Sequence, residues 1–172
     1  TMAGYRKAVA LKSDLVIIPA LEISSQEGHI LAFGVHQEIR PGLSVPETID
    51  AIHDQSGIAV AAHPFGNFLR LGVRQLGHLE LFDAVEAVNG MCLPYQNTKA
   101  QREAARLKKP MIAGSDAHTL GEFGRFACNV HGEDVDSLLT SIRKGRVTLP
   151  KAVPNTFYVL SRKLGRKAYR FA

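Results

Sequence analysis

The sequence predicts one α/β domain over residues 1–172, built around a parallel sheet. Short apolar segments without polar alternation recur along the chain, which is typical of strands buried on both faces. Segments with a helical pattern separate them, and this alternation favours βαβ units. The chain is 45% hydrophobic and 22% charged, a composition that suits a folded domain with a real core and not a disordered chain.

Helix start and stop residues divide the chain into its predicted elements. Pro46 and Gly57 bracket one helix, Pro110 ends a second and Gly145 ends a third. The predicted helices cover residues 46–55, 95–108 and 134–144, and residues 73–80 are expected to form one or two helical turns. The predicted strands cover residues 15–20, 30–35, 58–62, 84–88, 111–113 and 125–130.

Composition excludes several classes of protein. The two cysteines, Cys92 and Cys128, are far apart and form no CxxC pair, which argues against a disulfide framework or a thiolate zinc site. A reducing cytoplasm is therefore the expected compartment. No apolar run reaches the roughly 18 residues of a membrane span, and residues 1–7 do not form a signal peptide. Dinucleotide, P-loop and nucleophile-elbow motifs are absent.

Positive charge is concentrated at the end of the chain. The formal net charge is +5, and residues 161–172 contain five basic residues and no acid, so the preceding residues are balanced. This tail is interpreted as a solvated terminal helix or strand. The alternative is a weak, salt-sensitive contact with nucleic acid.

Side chains that can bind metal follow three of the predicted strands. Glu22 follows the first, His63 the third, and Asp116 and His118 the fifth. Because the carboxyl ends of the strands of a β/α barrel meet on one rim, we expect these side chains to converge. Imidazole and carboxylate ligands suit zinc, manganese or iron. Singly, each residue has an ordinary explanation, such as turn capping by Asp116, but four at equivalent positions favour a site.

Five segments, in order, resemble the motifs of the PHP (polymerase and histidinol phosphatase) superfamily of metal-dependent phosphoesterases. They are IPALEIS at 18–24, GHILAFG at 28–34, AHP at 62–64, AVEAVN at 84–89 and GSDAH at 114–118. The resemblance implies a distorted (β/α)7 TIM-like barrel that holds two or three divalent ions. It also implies the metal ligands Glu22, His29, His63, Asp116 and His118. The assignment of His29 depends on the resemblance alone.

The sequence departs from the superfamily at its beginning. The superfamily carries a His-x-His motif on its first strand and a Thr-Asp-His motif on its second, and neither occurs here. We therefore expect this sequence to be the carboxy-terminal part of a PHP-type domain whose first strands are missing.

The resemblance predicts hydrolysis of phosphate esters by metal-activated water. Asp116 and His63 are the candidate catalytic residues, and the substrate is expected to be a nucleotide, a short oligonucleotide or a small phosphorylated metabolite. Arg125, which follows two glycines, is the preferred phosphate-binding residue, and Arg70 is a second candidate. Two alternatives remain open. One is a metal-dependent hydrolase of another bond, such as an amide, and the other is a catalytically impaired domain with a binding role.

Overall fold

The structure is a computed structural model, and it describes residues 1–11, 13–66 and 76–169. The helices are α1 (Ala3–Ala10), α2 (Val45–His53), α3 (Pro94–Arg106), α4 (Val135–Arg143) and α5 (Thr156–Tyr169), with one 3-10 turn at Leu76–His78. The strands are β1 (Ala20–Ser24), β2 (His29–Phe33), β3 (Ile58–Ala61), β4 (Ala84–Asn89), β5 (Met111–Gly114), β6 (Asn129–Val130) and β7 (Val147–Thr148). Among the helices so described, none is long and apolar enough to cross a membrane.

The main sheet has five strands in the order β1-β2-β3-β4-β5. The β1/β2 and β2/β3 pairs are antiparallel, whereas β3/β4 and β4/β5 are parallel. Strands β6 and β7 form a separate antiparallel pair. The predicted parallel sheet and the distorted (β/α)7 TIM-like barrel are therefore wrong, since the described residues form an open, mixed sheet that does not close.

A short turn explains the antiparallel start of the sheet. Only four residues separate Ser24, the end of β1, from His29, the start of β2, and a parallel connection needs a dozen or more. The Ser25 hydroxyl donates to the carbonyl oxygen of Gly28 at 2.6 Å and accepts from its N–H at 3.1 Å. Gly28 has a φ of 147°, which a side chain would disfavour. The chain therefore reverses into a hairpin.

The predicted strand at residues 15–20 is also wrong. Leu15 is 72% exposed and Val16 is 47% exposed, and the first strand begins only at Ala20. An apolar run of this length cannot be assigned by periodicity alone. As a consequence, Glu22 lies within β1 and does not follow a strand.

The other predicted elements agree with the structure to within a few residues, with one exception. Strands β3 and β4 are buried at every position, as predicted for strands covered on both faces. The exception is the predicted strand at residues 125–130, of which only the two residues of β6 form a strand. Of the helical turns predicted at 73–80, residues 73–75 lie outside the described part of the chain, and a 3-10 turn follows them.

Each face of the main sheet packs against helices. One face carries a core that includes side chains of α2 and α3, and the other packs against α4. Residues on β1, β2, β3 and β4 alternate between the two faces. The first core includes Leu21, Ile23, Ile30, Ala32, Ile49, Ile52, Ala61, Val85 and Ala104, and the second includes Ile58, Val60, Ala84, Ile112, Leu139 and Ile142.

Basic side chains satisfy carbonyl groups at the amino end of the parallel strands. The Arg143 guanidinium, in the last turn of α4, donates to the carbonyl oxygens of Ser56 at 3.2 Å and Gly57 at 2.7 Å. The Lys109 ammonium donates to the carbonyl oxygen of Phe82 at 2.8 Å. Arg143 thereby connects α4 to the residues that follow α2.

Helix α2 begins with a capping box, and this feature gives a test of the fold. The Ser44 side chain accepts from the N–H of Glu47, and the Glu47 carboxylate accepts from the N–H of Ser44 at 2.9 Å. Ser44→Ala should lower the free energy of unfolding by about 1 kcal/mol, measured by urea denaturation. Ser13→Ala, at an exposed position outside any helix, is the control. Equal stabilities of the two variants would contradict this role for Ser44.

Candidate metal centre

The β1–β2 hairpin places Glu22 beside His29. In the register of the hairpin, Glu22 faces Leu31 and Ser24 faces His29. Glu22 and His29 are thus diagonal neighbours on one face of the sheet, at a spacing that long side chains can bridge. The Oε1 atom of Glu22 lies 2.9 Å from the Nδ1 atom of His29.

His63 joins this pair from the turn that follows β3. Its Nε2 atom lies 3.4 Å from the Oε1 atom of Glu22. The rings of His29 and His63 have centroids 5.4 Å apart and are inclined by 77°. The His63 side chain is only 3% exposed, whereas that of Glu22 is 51% exposed. One carboxylate oxygen therefore lies near two imidazoles, on a side chain that is half exposed.

The two imidazoles stabilise the charged form of the Glu22 carboxylate. Contacts with His29, and then with His63, hold the pKa of Glu22 well below its ordinary value, although partial burial opposes the shift. Glu22 is therefore a carboxylate at neutral pH. Because a metal ligand must be deprotonated, this shift leaves Glu22 ready to bind a cation.

Unsatisfied nitrogen atoms provide a test of whether these residues fit a metal ion. The Nδ1 atoms of His29 and His63 are buried and have no hydrogen-bond partner within the described chain. For His29, the short approach to Glu22 does not have the direction that a hydrogen bond requires. An unsatisfied buried polar atom costs about 1–3 kcal/mol, and a bound cation would remove this cost at the nitrogen that it binds.

The spacing of the ligand atoms also fits a metal ion. One ligand atom from each of Glu22, His29 and His63 lies within 4.8 Å of the other two. Ligand atoms about 2.1 Å from a tetrahedral zinc are about 3.4 Å apart, so a small contraction of this group would suffice. Within the described residues, this is the one such group of histidine, cysteine and carboxylate ligands.

Asp116 and His118 lie in the turn after β5 and do not belong to that group of three. The Asp116 carboxylate accepts from the side-chain amide of Asn89 at 3.1 Å, and its side chain is 14% exposed. The His118 side chain is 59% exposed, with Nδ1 3.5 Å from Oδ1 of Asp116. The carboxylate of buried Glu122 accepts from the His118 N–H at 2.8 Å. The turn thus offers a second carboxylate–imidazole pair.

Two buried polar residues of β4 contact both parts of the site, and sequence reasoning gave them no role. The Glu86 carboxylate accepts from the His63 N–H at 2.8 Å, and Asn89 contacts both Glu86 and Asp116. Burial raises the pKa of Glu86, opposed by His63 and Asn89. The sequence could have revealed Glu86 and Asn89, because they are the polar residues of an otherwise apolar buried strand.

Of the two candidate phosphate-binding residues, the structure describes Arg125 and not Arg70. Arg125 is exposed, and its Nε donates to the carbonyl oxygen of Gly121 at 2.9 Å. Its guanidinium lies 5.7 Å from the ring centroid of Tyr158, and that of Arg162 lies 5.6 Å from the same ring. Arg70 lies outside the described residues, as do the side chains of most of the predicted basic tail.

Comparisons with known proteins find a family that matches part of the chain and a solved structure with a similar fold. A family described as PHP-associated matches residues 94–147. The uncharacterized protein MJ0417 of Methanocaldococcus jannaschii is 29% identical over 114 residues, which are 62% of this chain and 48% of that protein. The uncharacterized protein MJ1587 of the same organism is 34% identical over 73 residues, or 42% of each chain. The crystal structure of PsfC from Pseudomonas syringae PB-5123 superposes with a TM-score of 0.69 at 16% identity, covering 89% of this chain and 66% of that one.

The similarities to these proteins cover only part of each of them. The chain spans less than half of the length of the two curated relatives. The likeness to PsfC shows a common fold and nothing about chemistry, because the identity is only 16%. The match at residues 94–147 contains Asp116 and His118, whereas Glu22, His29 and His63 precede it.

Metal binding by the group of three can be measured through stability. Zinc at 100 times its dissociation constant should raise the free energy of unfolding by about 2.7 kcal/mol. His29→Ala should lose most of this gain, since it removes one of three ligands. Urea denaturation with and without zinc measures the effect, and His131→Ala, at an exposed histidine outside the group, is the control. Full stabilisation of His29→Ala by zinc would exclude His29 as a ligand.

Proposed function

We propose that this chain is part of a metal-dependent phosphoesterase, because residues 94–147 match the family described as PHP-associated. The match supports the relationship to the PHP superfamily that the sequence motifs predicted. The observation that carries the proposal is the arrangement of Glu22 between two imidazoles with unsatisfied buried nitrogens. Carboxylate and imidazole ligands favour zinc, manganese or iron over magnesium or calcium.

The proposed metal ligands form two groups. Glu22, His29 and His63 would hold one ion, and Asp116 with His118 would contribute to a second position. A divalent ion supplies activation of water and neutralisation of charge on the phosphoryl oxygens. The chain itself supplies a carboxylate that is ionised at neutral pH and, at His63, a ligand that is almost fully shielded from solvent.

Substrate binding is assigned to Arg125. Its guanidinium is exposed, lies on the same loop as His118 and makes no ion pair within the described residues. A guanidinium that is held by a carbonyl group and an aromatic ring retains its full charge for a phosphate ester. The substrates proposed are nucleotides, short oligonucleotides or small phosphorylated metabolites.

The proposal is tested with the full-length protein that contains this chain. Elemental analysis of the purified protein should find zinc, manganese or iron, and a screen of nucleotides and sugar phosphates should find release of phosphate. Metal with turnover of an amide and of no phosphate ester would favour a hydrolase of another bond. A protein without metal or turnover would instead be a binding domain.

Loss of proposed ligands should abolish turnover while the fold survives. In the full-length protein, Asp116→Ala and His63→Ala should each lower kcat by several orders of magnitude, because each removes a group that holds the ion. Circular dichroism should show that both variants fold. His36→Ala, at an exposed histidine, is the control. Retention of wild-type kcat by either variant would remove that residue from the proposed site.

Arg125→Ala should affect the substrate and leave the metal content unchanged. The variant should weaken binding of phosphate substrates by about 1–3 kcal/mol, the range for loss of a charge-assisted hydrogen bond. Steady-state kinetics and elemental analysis measure the two quantities. Arg102→Ala, at an exposed arginine on α3, is the matched control. Equal kinetics of Arg125→Ala and Arg102→Ala would show that Arg125 does not bind substrate.

A further inference from the structure

The two turns that carry proposed ligands both contain a strained backbone. His63 has a φ of 31° and Asp116 has a φ of 50°, and neither is a glycine. A residue with a side chain held in such a region costs on the order of 1–3 kcal/mol and persists only where its surroundings enforce it. Contacts around the two turns must therefore hold them in place.

Strand β4 lies between the two turns, since it pairs with β3 on one side and β5 on the other. Glu86, on β4, is 4% exposed, and its Oε2 atom accepts from the His63 N–H at 2.8 Å. The same atom accepts from the Asn89 side-chain amide at 3.0 Å. A Cβ atom added to Gly114 of β5 would lie 2.8 Å from Oε1 of Glu86, so the neighbouring strand packs closely on the carboxylate.

Asn89 completes the connection to the second turn. Its Nδ2 group donates to Oε2 of Glu86 and to Oδ2 of Asp116 at 3.1 Å, which uses both amide protons. Its Oδ1 accepts from the Met91 N–H at 2.9 Å, which fixes the orientation of the amide. The side chain is therefore held with its donors directed at the two carboxylates.

We propose that Glu86 and Asn89 are positioning residues that couple the His63 turn to the Asp116 turn. The turns after β3 and β5, which both carry proposed ligands, are then aligned by one buried carboxylate–amide pair. The inference rests on the proposed function only where it concerns metal affinity, because the backbone contact to His63 exists without a metal.

Three variants test this inference. Glu86→Ala and Asn89→Ala remove the connection. Glu86→Gln retains a carbonyl oxygen that can accept from both the His63 N–H and Asn89. Thr48→Ala, which removes another fully buried polar side chain on α2, controls for a general loss of stability. The readouts are hydrogen exchange at the His63 amide, measured without metal, and the dissociation constant for zinc.

Glu86→Ala should accelerate exchange at the His63 amide, and both alanine variants should weaken zinc binding about 10- to 100-fold, the range for residues that orient metal ligands. Glu86→Gln and Thr48→Ala should behave like the wild type. Rescue by glutamine would distinguish positioning from a role that requires the charge of Glu86.

Two results would overturn the inference. One is a folded Glu86→Ala or Asn89→Ala variant with wild-type zinc affinity and wild-type exchange at His63. The other is a Glu86→Gln variant as impaired as Glu86→Ala, which would indicate a role for the charge. If the alanine variants do not fold, Glu86→Gln decides alone. If the wild type binds no zinc, the proposed function fails, and exchange at His63 still decides the positioning role.

Discussion

The candidate metal centre depends on the four-residue turn between β1 and β2. Because this turn forces an antiparallel hairpin, Glu22 and His29 become diagonal neighbours on one face of the sheet. A crossover connection would have made the two strands parallel, and Glu22 and His29 would not be diagonal neighbours in this register. The Ser25 hydroxyl and Gly28 stabilise the reversal through two short contacts. The chemistry of the site thus begins with the local geometry of a turn.

Sequence reasoning predicted the buried strands well because β3 is apolar throughout and β4 is apolar at four of its six positions. It placed His63 after β3 correctly for the same reason. It failed at residues 15–20, where the chain is exposed at Leu15 and Val16 and forms no strand before Ala20. It also missed the hairpin, because strand patterns do not reveal strand direction. The barrel prediction followed from that assumption of parallel strands and from the family resemblance. Glu22 was therefore singled out for the wrong reason, as a residue after a strand.

The histidine assignments show why ligands are difficult to recognise singly. His53, which lies outside the five segments that resemble the superfamily, contacts Asp83 at 2.8 Å, a carboxylate–imidazole pair much like that of Glu22 and His29. The difference is convergence, since Asp83 contacts one imidazole, whereas Glu22 contacts two, of which that of His63 is only 3% exposed. His29 was suggested only by its family motif, because a residue that begins a strand has no distinctive pattern.

The contact of Arg143 with the carbonyl oxygens of Ser56 and Gly57 tolerates changes in the length of the chain between them. It joins residues that are 86 and 87 positions apart in sequence. The entropy of closing such a long loop grows slowly, by only about 0.6 kcal/mol for each doubling of its length. Insertions between α2 and α4 would therefore weaken this contact little, provided that they leave the sheet intact.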